Sequence, residues 1–244
     1  MFKIPLIFLG IIWLLVGCTP SKSPSPSTSS SRTQSQSNSS SARAVSQVRS
    51  LLSAVTDNNL EQTKQALKAH PTQLDRPNSK GETPLLVATH NNNVQIAKLL
   101  IDHGADVNLQ DHIQDSAYLY AAAQGRTQIL DYILKHTEPN PKLYNRFGGT
   151  ALIPAAEKGH LDNVRLLLKD GHVDINHQNK SGYTALIEAV ALRDGSSKYQ
   201  QIVQLLLDYG AKTDLRDNRN QTALDYAKQL GFTQMVNILE NSSN

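Results

Sequence analysis

The chain has 244 residues and a formal net charge of +3 at pH 7, with its charged side chains spread along it. A nucleic-acid binder would gather a basic stripe or a larger excess, so this balance argues against that class of partner. The single cysteine, Cys18, excludes an internal disulfide framework.

The chain opens with Met1-Phe2-Lys3, then an almost unbroken apolar run from Ile4 to Gly17. Those fourteen residues fall short of the roughly 20 that a membrane-spanning helix needs. A basic start, a short apolar stretch and small residues before a cut site predict a secretory signal peptide over 1–17. Leu15-Val16-Gly17-Cys18 resembles the lipobox of bacterial lipoproteins. The resemblance implies cleavage before Cys18 and lipidation of that cysteine, which becomes the first residue of the mature chain. Two or more acyl chains would hold it stably to a membrane. In Gram-negative relatives an Asp after the cysteine marks inner-membrane retention, so Thr19 points to the outer membrane, facing the periplasm. An uncleaved signal anchor and a buried structural cysteine are the alternatives.

Residues 18–43 are read as Cys18, expected to be acylated, and a linker of Ser, Pro, Thr, Gln and Asn with hardly an apolar side chain. Such a composition buries too little surface to offset its ordering entropy, so a disordered tether is expected. About 23 flexible residues give it a reach of roughly 25–30 Å.

Beyond it the chain repeats itself. Segments opening at Thr83, Ser116, Thr150, Thr184 and Thr222 share the pattern of Thr83-Pro84-Leu85-Leu86-Val87-Ala88, at spacings of 33, 34, 34 and 38 residues. Each is followed by an apolar pair such as Leu99-Leu100 or Leu206-Leu207, and several close on a turn such as His103-Gly104-Ala105-Asp106-Val107-Asn108. Leu51-Leu52-Ser53-Ala54 adds a degenerate unit in front, at an offset of 34. This pattern resembles the ankyrin repeat over about residues 45–240. The fold it implies is an all-α solenoid of about six helix-turn-helix units joined by hairpin-like turns. A single unit cannot bury its apolar face alone, so stacking supplies the core. The repeat domain is read as 44–241, with units at about 44–77, 78–110, 111–144, 145–178, 179–216 and 217–241.

The hydroxyls at 83, 116, 150, 184 and 222 are expected to cap the first helix of each unit. Gly104, Gly171 and Gly210 stand where the second helix must stop. Leu86, Leu119, Ile153, Ile187 and Asp225 replace the family's His, which removes its hydrogen bond to the Thr. The second unit closes without glycine, through Lys135 to Pro141. Near Arg193 to Ser197 the fourth opening's unit carries about four extra residues, readable as a binding loop or as a neutral extension.

Ankyrin proteins usually bind partners through hairpin tips and the inner face of the first helices. By that resemblance the partner-binding candidates are Lys80, Ile113, Tyr120, Arg146, Phe147, Lys180, Tyr183, Arg219 and Tyr226. Tyr and Arg are enriched in interface hot spots, and a hairpin tip has little other reason to carry Ile113 or Phe147. The competing reading packs these side chains on the next repeat. The basic members suggest a protein partner with an acidic patch. No phosphate loop, nucleophile elbow or Cys–His pair appears, and His90, His103, His136 and His160 fall at helix ends or turns. No enzyme, cofactor, metal site or small-molecule substrate is therefore expected. The function expected is capture of a protein partner from a lipid anchor, as an inhibitor or immunity protein against an envelope-directed toxin. A scaffold for a periplasmic enzyme or stress response is the alternative, and a host-directed effector fits the anchor poorly.

Overall fold

The computed structural model describes residues 49–191 and 193–242. The signal peptide, Cys18 and the tether lie outside the described residues. Among those described there are twelve α-helices, one 3-10 turn at Pro71–Gln73, and no strand.

The helices come in six pairs: α1 (Leu51–Thr56) with α2 (Leu60–Ala69), α3 (Pro84–His90) with α4 (Val94–Asp102), and α5 (Ala117–Ala123) with α6 (Thr127–His136). They continue as α7 (Leu152–Glu157) with α8 (Leu161–Asp170), α9 (Ala185–Ala191) with α10 (Ser197–Asp208), and α11 (Ala223–Gln229) with α12 (Thr233–Asn241). Each odd-numbered helix packs on the next odd one and each even-numbered helix on the next even one, which makes two helical layers. This is the expected ankyrin-type solenoid of six units. Ala88, Ala121, Ala155, Ala189 and Ala227 are buried in the inner layer, where a methyl group lets neighbouring helices approach. Leu100, Ile133, Leu167, Leu206 and Leu239 are fully buried in the outer one.

The caps explain where the helices begin. Thr83, Ser116, Thr184 and Thr222 accept from Leu86, Leu119, Ile187 and Asp225 N–H groups at 3.1–3.2 Å. Thr150 departs from this pattern: its hydroxyl is buried without a partner, and α7 starts two residues later at Leu152. Asp225 also departs from expectation. In the family's His position it accepts from both the Thr222 amide and hydroxyl at 2.9 Å, so the last unit keeps a side-chain bond there. Gly104, Gly171 and Gly210 adopt φ of +87°, +78° and +87°. The glycine-free ending of α6 is closed instead by the Thr137 hydroxyl, which donates to Ile133 O at 2.7 Å.

The turns inside the pairs also stack on one another. A Cβ on Gly125 would strike the His160 ring, on Gly159 the Lys198 side chain, and on Gly195 the Phe232 ring. The extra residues of the fifth pair therefore lie in the turn between α9 and α10, against the aromatic ring of the following unit.

Candidate functional site: the hairpin tips and the inner face

Each connection between helix pairs is a hairpin built on one polar side chain. The side-chain Oδ1 of Asn78, Asp111, Asn145, Asn179 or Asp217 accepts two backbone N–H groups, two and four residues on, at 2.9–3.0 Å. The residue three positions on is left-handed in every case: Gly81, Gln114, Gly148, Gly182 and Asn220. Successive tips are joined by main-chain bonds, from His112 N to Lys80 O, Lys180 N to Phe147 O, and Asn218 N to Ser181 O, at 3.0–3.1 Å. Gly182 is required twice over, since its φ is +78° and a Cβ would lie 2.8 Å from Asn218 N.

This construction sets what each candidate side chain does. Ile113 and Phe147 stand out at the tips, 54% and 60% exposed. Lys80, Arg146, Lys180 and Arg219 are also exposed. The Arg146 guanidinium lies 4.8 Å from the Phe147 ring centroid and 3.8 Å from the Asp115 carboxylate. Lys180 reaches back along the solenoid and donates from Nζ to Arg146 O at 2.8 Å. The Tyr120 ring is half-buried, tilted against His90 at 4.1 Å. Tyr183 is half-buried and meets Tyr226 edge-on at 6.2 Å. Tyr226, only 9% exposed, donates to Asp217 Oδ2 at 2.6 Å, so this ring braces the last hairpin from within. The aromatic series thus divides: Phe147 is presented, Tyr120 and Tyr183 are partly covered, and Tyr226 is held inside.

Below the basic tips the inner face is acidic, which composition did not reveal. Glu82 faces His90 at 3.4 Å, Asp115 faces Arg146, and Glu157 pairs with Arg193 at 2.7 Å. Burial pushes the His90 pKa below its ordinary value, against the opposing pull of Glu82. Burial raises the Asp115 pKa, with Arg146 opposing. Glu188 is the extreme case. Only 6% exposed, it takes one hydrogen bond, from Asn179 Nδ2 to Oε1 at 3.2 Å, and its Oε2 has no partner among the described residues. Desolvation, then the neighbouring Glu157 carboxylate, push its pKa up to about 7.

Glu188 and Glu157 line a cavity of about 230 Å³ between the third and fourth hairpins, walled by Phe147, Ile153, Pro154 and Tyr183. A larger cavity, about 420 Å³, lies away from these candidates, at the ends of α6 and α8 beside Pro139, Pro141 and His172.

A family model described as ankyrin repeats, in three copies, matches residues 51–142, 119–217 and 174–244. The chain is 35% identical over 188 residues to the ankyrin repeat protein YahD of Escherichia coli (strain K12), covering 77% of this chain and 92% of that one. Among solved structures it is similar to that of EF0377, an ankyrin repeat protein (54% identity, TM-score 0.77, 80% of this chain and 98% of that one). It is also similar to an ankyrin repeat domain from Acinetobacter baumannii AYE (45% identity, TM-score 0.76, 79% of this chain and 97% of that one).

Proposed function

Since this chain belongs to the ankyrin-repeat family, whose members are typically non-enzymatic scaffolds for protein–protein interaction, we propose that it captures one protein partner on its hairpin tips while a lipid on Cys18 holds it to the bacterial envelope. The observation that carries the capture is the exposure of Ile113 and Phe147 at tips flanked by Arg146 and Lys180. Large apolar side chains on otherwise polar turns give up water readily when covered, and a neighbouring arginine adds a planar donor for a partner's acidic group.

The anchor reading rests on Leu15-Val16-Gly17-Cys18 alone, and the placement in the outer membrane facing the periplasm rests on Thr19. Of the tasks open to a tethered binder, neutralising a toxin directed at the envelope suits it best, because the tether keeps the binder where the toxin acts. The experiment has three arms. Labelled palmitate should enter the wild-type chain and be lost in Cys18→Ala. Full-length protein should then retain a partner that Ile113→Ser with Phe147→Ser releases, and a deletion strain should become sensitive to a sibling's toxin. Unchanged capture by the double variant would overturn the tip interface. A deletion that alters only a housekeeping enzyme's abundance would replace inhibition with scaffolding.

A further inference from the structure

We infer that the cavity between Phe147 and Tyr183 is a socket for one arginine side chain of the partner protein, with Glu188 as its counter-ion. This deepens the proposed capture function and rests on it. Three observations converge. The cavity is built by residues of two successive units: Phe147, Ile153 and Glu157 from one, Tyr183 and Glu188 from the next. Its volume of about 230 Å³ suits a single extended side chain rather than a folded segment. Glu188 lines it while nine-tenths buried, and one carboxylate oxygen has no hydrogen-bond partner among the described residues. A buried polar atom is normally paired. Glu188 Oε2, and Arg193 Nε in the same cluster, are buried without a partner among the described residues. The Glu188 side chain lines the cavity, and this points to a partner still to arrive.

The charge balance names that partner's sign. Two carboxylates, Glu157 and Glu188, share one cation, Arg193, which sits 2.7 Å from Glu157. The described charged groups acting on Glu188 are these two, with Asn179 as its hydrogen-bond donor. With both acids ionised the cluster is short of one positive charge. Burial and the second carboxylate make ionisation of Glu188 unfavourable alone, and an incoming cation reverses that balance. Arginine fits better than lysine here. Its guanidinium is planar and weakly hydrated, it stacks on aromatic faces such as that of Tyr183 (the Phe147 ring already holds Arg146), and its fork can serve a carboxylate oxygen and a neighbouring acceptor together.

The test uses the full-length chain in detergent, with glutamate carboxyls labelled by ¹³C and followed by NMR. The probes are N-acetyl-arginine methylamide, its uncharged isostere N-acetyl-citrulline methylamide, the matching lysine amide, and free L-arginine. The arginine amide is expected to bind saturably in the millimolar range and to lower the titration midpoint of Glu188 by at least one pH unit. The citrulline amide should leave it unmoved and the lysine amide should bind several-fold more weakly. Glu188→Gln should abolish binding, whereas Arg193→Ala, by removing the competing cation, should strengthen it at least threefold. Equal binding of arginine and citrulline amides, or unchanged binding in Glu188→Gln, overturns the socket. Free L-arginine binding tenfold tighter than the blocked amide would overturn the assignment to a protein side chain. If the partner is captured equally by Glu188→Gln but lost on changing Ile113 and Phe147, the socket fails and the capture function stands. If the arginine amide binds and no partner is ever captured, the reverse holds.

Discussion

The hairpin at 145–149 and the hairpin at 217–221 share one turn and put it to opposite uses. In both, a side-chain oxygen accepts two amides at 2.9–3.0 Å and a left-handed residue follows. At the first, the aromatic ring is carried on the tip itself, as Phe147, and points away from the core's protection. Beside it lies a cavity lined by a buried acid, Glu188, that is short of a partner, and next to the turn the buried Thr150 hydroxyl also has none among the described residues. At the second, the ring comes from below, as Tyr226, and its hydroxyl occupies the second oxygen of Asp217. One region leaves polar groups wanting and the other satisfies them. Local rules broken without repair mark places kept for something other than stability.

Substituting the turn residues tests this contrast most severely. Asp217→Ala removes the acceptor of two amides and of the Tyr226 hydroxyl, and should lower unfolding free energy by about 3–4 kcal/mol in urea titrations. Asn145→Ala loses the same two amide bonds at a half-buried tip and should lower it by about 1–2 kcal/mol. Equal losses would remove the distinction between a braced hairpin and an open one.

Acidity sharpens it next. An ordinary unfolded glutamate titrates near 4.5, whereas Glu188 in the folded chain titrates near 7. Between those values the unfolded chain has released a proton that the folded chain keeps. The contribution of Glu188 to stability therefore falls as pH rises from about 4.5 to about 7, and the loss is complete above that. Glu188→Gln has no proton to lose, so its stability relative to wild type should improve by about 3 kcal/mol across that window. A constant difference from pH 4.5 to 8 would show that Glu188 ionises without penalty.

Two smaller effects complete the comparison. Tyr226→Phe leaves Asp217 Oδ2 without its donor and should reduce stability by about 1 kcal/mol. Phe147→Ser should change stability by less than about 0.5 kcal/mol, because the ring is exposed, yet weaken partner binding at least tenfold. A Phe147→Ser protein that unfolds several degrees earlier would place that ring in the scaffold instead.

The architecture was legible because five openings in register carry their meaning in spacing: a capping hydroxyl, then alanine five residues on, then an apolar pair. The turn-forming residues were legible in principle and were missed. Asn78, Asp111, Asn145, Asn179 and Asp217 each stand five residues before the Thr or Ser that opens a unit, at the same spacings of 33, 34, 34 and 38. Exposure at Ile113 and Phe147 followed from their place on the tips. Burial of Tyr226 did not, because it depends on Asp217 nine residues earlier and on Tyr183 in the preceding unit. The acidic socket was beyond reach for the same reason. Its charges come from Glu157, Glu188 and Arg193, and only stacking of two units brings Glu157 to face the others. The failed cap at Thr150 does have a counterpart in the sequence: Pro154 has no N–H to donate to Thr150 O, where Val87, Tyr120, Glu188 and Tyr226 donate to the carbonyl of their capping residue.

The bonds that join one tip to the next have a consequence for how opening of the molecule would be observed. The amides of His112, Lys180 and Asn218 are held by carbonyls of the preceding unit, whereas those of Lys80, Ile113, Phe147, Ser181 and Arg219 are held within their own turn. Deuterium uptake at the first group therefore times the parting of neighbours, and uptake at the second times the melting of a single hairpin. The solenoid carries, within a few residues of each other, separate clocks for the two events.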